Sequence, residues 1–336
     1  MSGSRRVTLG DVAEAAGVSP ASVGNVLRSH PHVRPAVRQR VLAAVAELGY
    51  RPLAIGQNLR SGRTGAVNLA IPNFAQPYFA EMASLAVAAA ERSDLRLVVQ
   101  QTDNRLDRER DIADAWNLGA ADGLIFSPSV ISDEEIEERR GQMPLVLLGE
   151  HSRLSTVNRV YLDSVAMARL ATEHLIERGA RRIVMFGDRQ SGDSNVIGER
   201  VQGYREALAA HGLKWTAPLI KVDDWNRPDG EHAADELLRS GEAFDGIFCA
   251  NDLLALGALR RLRGAGLHAP ANFRIAAVDD IEEASFSEPT LTTVAVDRKW
   301  MIDTAFRLLT REIGQPAGVP EQVQAPHHLV MRESTS

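Results

Sequence analysis

The chain has 336 residues and a single cysteine, Cys249, so it carries neither a disulfide framework nor a metal cluster built on thiolates. No apolar run approaches the ~20 residues of a membrane span. The opening segment passes from Arg5 and Arg6 into a polar helix pattern, without the apolar stretch and small-residue cleavage site of an export signal. These absences predict a cytoplasmic protein without membrane contact. A nucleophile elbow, a phosphate loop and a metal-ligand run are lacking too. His151 and His174 are conceivable bases, and Asp279-Asp280 a conceivable acid/base pair, but adjacent residues at a strand end point to opposite sides. Neither an enzymatic activity nor a cofactor is expected.

Apolar residues make up 44% and charged residues 24%, ordinary for a soluble chain long enough for two or three compact units. The net charge of -6 is unevenly spread. Residues 1–63 hold nine arginines against Asp11, Glu14 and Glu47, whereas the remainder is acidic. A basic head on an acidic body suits a polyanionic partner for the head alone; a solvated Arg-rich tail is the alternative.

The head has a helix pattern that a tail would not need. Thr8 and Asp11 stand at capping-box spacing and start a helix that Gly17 ends. Ser19-Pro20 opens a second helix to about Leu27, with Val23, Val26 and Leu27 inward. A third runs from about Pro35 to Leu48 on Val37, Val41, Val45 and Leu48, and Gly49 stops it. Two short helices joined by so brief a turn form a helix-turn-helix. From Ala66 onward β-rich runs (67–71, 95–100, 123–126, 145–148, 182–186, 246–250 and 274–278) alternate with helical stretches, the signature of parallel sheets covered on both faces. Two successive blocks of this kind imply two lobes.

Val7-Thr8-Leu9, Asp11-Val12-Ala13, Ala16-Gly17-Val18-Ser19, Val23, Val26-Leu27 and Leu48-Gly49-Tyr50-x-Pro52 make the head resemble the lactose-repressor family of transcription regulators. The likeness continues through Gln76-Pro77-Tyr78-Phe79, Asp122-Gly123, Glu199-Arg200-x-x-Gly203-Tyr204, Ala250-Asn251-Asp252, Asp279-Asp280 and Pro289-x-Leu291-Thr292-Thr293. It implies an all-α helix-turn-helix headpiece followed by an α/β core of two doubly wound parallel-sheet lobes, like a periplasmic binding protein. The expected divisions are 1–50 for the headpiece and 51–63 for a hinge helix and linker. One lobe then takes 64–163 with 294–322, the other 164–293 with 323–336. Lobe crossings fall near 162–164, 291–295 and 321–326.

By this resemblance the helix opened by Ser19 enters the major groove, where Pro20, Ala21 and Asn25 read bases and Thr8, Ser19 and Ser22 bond phosphates. Arg28, His32, Tyr50, Gln57 and Leu59 are further DNA contacts, Leu59 as an apolar wedge in the minor groove. Residues 51–63 are equally readable as a flexible linker without a wedge. Asn25 stands where arginine is frequent, and asparagine pairs with adenine; a phosphate contact is the competing role. Gly24 replaces a frequent serine and is expected to admit the DNA backbone closely.

In the core the resemblance implies that Arg200, Asn251 and Asp279 hold sugar hydroxyls, with Tyr78, Phe79 and Trp225 as stacking faces and Glu150 as an acceptor that disfavours anions. Alternatively Arg200 and Asp279 pair as structure, Asp280 caps the following turn, and Trp225 is a plain loop residue. Gly149-Glu150 and Val296 depart from the polar residues usual there, and Leu53 from asparagine. The implied partners are pseudo-palindromic double-stranded operator DNA, a small effector of sugar type and a second copy of the chain. The tail has no Leu heptads to join dimers further. A regulator switched by a protein partner, and a solute-binding protein, are the rival functions.

Overall fold

A computed structural model describes residues 7–27, 32–50, 63–114, 121–188, 195–213, 219–222, 224–315 and 318–336. Two compact units divide between Thr64 and Gly65.

The first unit is the helical headpiece: α1 (Leu9–Ala16), α2 (Pro20–Leu27) and α3 (Pro35–Leu48). Thr8 caps α1 reciprocally: the Asp11 N–H donates to Thr8 Oγ1 at 3.3 Å, and the Thr8 N–H donates to Asp11 Oδ2 at 2.7 Å. Gly17 ends the helix with φ 63°, a left-handed conformation that costs glycine nothing. Ser19 Oγ then accepts from the Ser22 N–H at 3.2 Å and starts α2. Val12, Val23, Val26 and Val41 close the shared core.

The second unit holds two six-stranded sheets. The first is built from β1 (Ala66–Ile71), β2 (Arg96–Gln101), β3 (Gly123–Phe126), β4 (Leu145–Leu148), β5 (Asn158–Tyr161) and β11 (Gln322–Gln324), in the order β2-β1-β3-β4-β5-β11. The second contains β6 (Ile183–Asp188), β7 (Leu219–Lys221), β8 (Gly246–Cys249), β9 (Arg274–Asp279), β10 (Thr292–Val296) and β12 (His327–Val330), in the order β7-β6-β8-β9-β10-β12. Both repeat one doubly wound pattern, and β12 alone runs antiparallel to its neighbour. Helices α4 (Pro77–Arg92), α5 (Leu106–Asp114), α6 (Asp133–Arg139) and α12 (Arg298–Gly314) belong with the first sheet. With the second go α7 (Ser164–Glu177), α8 (Asn195–Ala210), α9 (Arg227–Ser240), α10 (Asp252–Gly264) and α11 (Glu282–Phe286). Among the described residues no helix is long and apolar enough to cross a membrane.

Sheet membership shifts two boundaries from their expected places. β10 pairs with β9 through Ala295 and with β12 through Val296, so residues 294–296 stay with the second sheet and the crossing expected near 291–295 follows residue 296. β11 pairs with β5 through Gln324, so the first lobe reclaims the chain up to 324 and not 322. Three glycines, Gly203, Gly230 and Gly257, hold the second lobe's helices close. A Cβ on Gly257 would lie 2.0 Å from the Arg227 carbonyl oxygen, and one on Gly230 2.1 Å from that of Leu254, so α9 and α10 meet backbone to backbone.

Candidate functional site

In the headpiece, α2 presents Ser19, Pro20 and Ala21 exposed, with Ser22 and Asn25 half-buried beside them. Thr8, at the start of α1, and His32 are also exposed, while Tyr50 is half-buried and packs on the headpiece core. Ser19 Oγ and Ser22 Oγ lie 2.9 Å apart. Arg28, Gln57, Leu59 and the hinge span 51–62 lie outside the described residues. Gly24 is buried with Val23 and Val26.

In the second unit, Tyr78, Phe79, Glu150, Arg200, Trp225, Asn251 and Asp279 all line one cavity of about 180 Å³. The fold explains the convergence, because open α/β sheets offer ligands the crevice beyond the carboxyl ends of their strands. Asp279 ends β9, Asn251 lies just past β8, and Glu150 just past β4.

Arg200 projects from α8 into this crevice. Its Nη2 donates to Glu150 Oε1 at 2.9 Å and Oε2 at 3.2 Å, and both side chains are only 6% exposed. Nη1 donates to the Ala250 carbonyl. Burial works against the cation, but the charges of Glu150 and Asp279 outweigh it and hold its pKa above the ordinary value. The expected alternative of an Arg200–Asp279 pair is therefore replaced by Arg200–Glu150, with Asp279 acting at longer range. The guanidinium also lies 5.1 Å from the centre of the Trp225 ring.

Asn251 performs two structural tasks: Oδ1 caps α10 by accepting from the Leu254 N–H at 3.0 Å, and Nδ2 donates to the Trp225 carbonyl at 3.0 Å. The Trp225 backbone is thereby tied to the start of α10, and its side chain lines the cavity. Its φ of 57° and those of Asp279 (124°) and Asp280 (56°) fall in the left-handed region, each a strain of ~1–3 kcal/mol for a non-glycine residue. Arg298 holds the last two by donating to both their carbonyls, at 2.9 Å for Asp280. Asp280 does not cap the following turn. Its carboxylate accepts from Arg332 Nη2 at 2.6 Å, and the Ile281 N–H goes to Asp252 Oδ2 at 2.9 Å.

Burial pushes the Asp279 carboxyl up to about 7, against the pull of Arg200 and Arg298 and with a further push from Glu150. Buried Asp252 is also raised, by burial and by Asp279. Burial and the carboxylates of Asp279 and Glu150 push the Tyr78 hydroxyl upward, which keeps it a donor. Two buried donors, Arg200 Nε and Trp225 Nε1, have no hydrogen-bond partner among the described residues.

The two units match known families separately. Residues 8–52 match the bacterial regulatory proteins of the lacI family, and residues 172–335 match the periplasmic binding protein-like domain. The HTH-type transcriptional regulator CelR of Thermobifida fusca is 32% identical over 345 residues, covering 98% of each chain. The chain belongs to the lacI family. Among solved structures, a complex of the transcriptional regulator CelR with cellobiose is 31% identical, covers 98% of this chain and 100% of that one, and superposes with a TM-score of 0.72. The Lac repressor dimer bound to operator and the anti-inducer ONPF is 26% identical, covers 98% and 99%, and gives a TM-score of 0.83. This LacI-family protein is a DNA-binding transcription regulator with an effector-binding core.

Several interactions around the regulator's cleft carry no sequence signal. Glu109 on α5 is fully buried and accepts the N–H groups of Ser129 (3.0 Å), Val130 (3.0 Å) and Ile131 (2.9 Å), shaping the loop that brings Ser127 and Ser129 to the cavity. His151 Nε2 lies 2.9 Å from the Ile131 carbonyl and donates to it, and Nδ1 is buried without a hydrogen-bond partner among the described residues. Arg298 pairs with Glu81 at 2.9 Å and sits 5.6 Å from the centre of the Tyr78 ring. Only contacts across tens of residues reveal these roles.

Proposed function

We propose that this regulator, most simply a repressor, acts as a homodimer on a pseudo-palindromic operator, and that an uncharged polyhydroxylated effector of sugar type bound in the cleft tunes its DNA affinity. The observation that carries this reading is the pair of buried, partnerless donors, Arg200 Nε and Trp225 Nε1, beside the Asp279 carboxyl in one cavity. Buried polar groups find partners, and hydroxyls, which donate and accept, suit two donors facing a carboxyl. Phe79 and Trp225 offer apolar faces to the flat side of a pyranose. An anionic effector is disfavoured because Glu150 already neutralises Arg200. The relative bound to cellobiose and the operator-bound Lac repressor dimer support the same reading. On the reading side, Pro20, Ala21 and Asn25 meet base edges while Thr8, Ser19 and Ser22 hold phosphates.

The test is a thermal-shift screen of the purified chain with neutral and phosphorylated sugars, paired with operator binding by fluorescence anisotropy. A neutral sugar is expected to raise Tm and change operator Kd together. If no small molecule moves Tm while operator still binds tightly, the sensing reading fails and switching by a protein partner takes its place.

A further inference from the structure

Next to the cleft lies a second cavity of about 200 Å³, sharing with it only Glu150 and Leu162. Both lobes line it. Arg159 on β5 and Arg153 in the loop after β4 come from the first lobe, and Glu199 on α8 from the second. Asp163, just ahead of α7, marks the first crossing between them.

Three carboxylates stand here against two arginines, so no positive excess remains and the charges must answer one another. Glu150 is held twice by Arg200, with both side chains 6% exposed. Asp163 caps α7 through the Ala166 N–H at 2.9 Å and receives Gln324 Nε2 at 3.5 Å. Glu199, 13% exposed, pairs with Arg153, which is 57% exposed.

Arg159 is the anomaly. It is only 8% exposed, its Nε is buried without a hydrogen-bond partner, and it makes no ion pair among the described residues. Its guanidinium carbon lies 4.3 Å from the centre of the Tyr161 ring, a contact that occupies one face and leaves the N–H edges uncommitted. Burial, and then the neighbouring charge of Arg153, push its pKa below the ordinary value, as expected for a cation without a counter-charge.

Two arginines of the first lobe thus surround one carboxylate of the second. The pair that forms uses the exposed arginine, where solvent screens the attraction. The buried arginine meanwhile bears its desolvation unpaired. A lobe arrangement that carried Glu199 to Arg159 would reverse both effects, pairing the buried cation and releasing Arg153 to water.

We propose that Glu199 is a two-position latch between the lobes, holding Arg153 in the arrangement described and Arg159 in a second one. The cavity is the space across which the exchange takes place. Such an element has two discrete arrangements, which is what a ligand in the adjoining cleft needs in order to bias the lobes. Glu199 adjoins Arg200 in the chain, so a ligand that repositions Arg200 acts on the latch directly.

The test measures the distance between the lobes by double electron–electron resonance on the full chain. Spin labels sit at Glu138→Cys on α6 and Glu236→Cys on α9, both exposed positions, and Cys249 is buried. Arg159→Met should shift the distance distribution toward the arrangement described, and Arg153→Met away from it. Each removes one positive charge, so a general electrostatic effect moves both the same way. Shifts of the same sense, or no shift in either variant, overturn the latch. In a Glu199→Gln background Arg153→Met should have no further effect, and a remaining shift overturns it too. That second measurement decides the matter if Arg159→Met fails to fold. Binding to operator selected from random duplexes is read alongside, and this readout rests on the function proposed above. The two variants should change operator Kd in opposite directions, by roughly fivefold each. Opposite distance shifts with an unchanged Kd support the latch and refute instead the coupling of the core to DNA.

Discussion

Replacing Glu150 by glutamine keeps the side chain's volume but removes the charge that Arg200 faces. The two groups make two contacts, 2.9 and 3.2 Å, with both side chains 6% exposed. Removing one partner of a buried pair costs ~3–5 kcal/mol, because the other charge stays desolvated. Asp279 reduces that cost, as its charge also acts on Arg200. In the native protein burial, aided by Glu150, holds the Asp279 carboxyl at about 7. A carboxyl raised above its unfolded value withdraws stability as pH climbs through its folded pKa. Without the Glu150 charge that pKa drops, so the variant loses less over the same interval. The deficit of Glu150→Gln should be about 3 kcal/mol at pH 6, a Tm lower by roughly 6–12 °C. By pH 8 it should shrink by ~1 kcal/mol, the worth of a shift of about one pKa unit. Differential scanning fluorimetry at pH 6, 7 and 8 reads this directly. Measured against Asp279→Asn alone, the double variant lacks the titrating carboxyl in both proteins, and its deficit should no longer narrow with pH. A Glu150→Gln protein melting within about 1 °C of wild type, or a deficit that widens with pH, would refute the reasoning.

Effector affinity should rise between pH 6 and 8, because a hydroxyl donating to Asp279 favours the ionised carboxylate and draws its pKa below about 7. Isothermal titration calorimetry should show proton release near neutrality that Asp279→Asn abolishes; a flat profile in the native protein counts against the contact. Gly257→Ala gains ~1 kcal/mol of helix propensity, yet sets a methyl 2.0 Å from the Arg227 carbonyl. Separating α9 from α10 should cost more than that gain, commonly ~1–3 kcal/mol or above, so Tm falls, and a more stable variant would show that the helices part freely. Asn25→Ala should relax the base preference at one symmetric position of each operator half-site in selection of bound sequences, by ~1–3 kcal/mol of discrimination. A preference that does not change leaves Asn25 as a phosphate contact.

Local features were readable from the chain and distant ones were not. The Thr8–Asp11 box and the Ser19–Ser22 cap are three residues apart, so spacing alone declares them. The strands are short apolar runs with polar punctuation, and their places follow from that text. What escaped depends on partners far along the chain. Glu150 and Arg200 are 50 residues apart, and Arg332 reaches Asp280 over 52, so neither partner is legible locally. Thr292–Val296 is buried along its whole length and carries no local mark of which sheet it joins. Glu109, Arg159 and Arg298 read as surface charges until the fold encloses them.

The cleft's polar groups divide into two sets with opposite consequences for the lobes. Residues 150 and 153, on one loop of the first lobe, grip the adjacent residues 199 and 200 on α8 of the second through the Glu150–Arg200 and Arg153–Glu199 pairs. Arg298, opening α12 of the first lobe, grips the carbonyls of residues 279 and 280 in the second. A ligand shifts a conformational equilibrium only by binding one arrangement better than another. One that satisfies Arg200 Nε, Trp225 Nε1 and the Asp279 carboxyl leaves all these ties intact and favours the arrangement that contains them. One that draws Glu150 or Arg200 Nη2 to itself must loosen a tie and favours the other. The same cleft can therefore take ligands of opposite sense, and the sense follows from which oxygen or nitrogen each occupies.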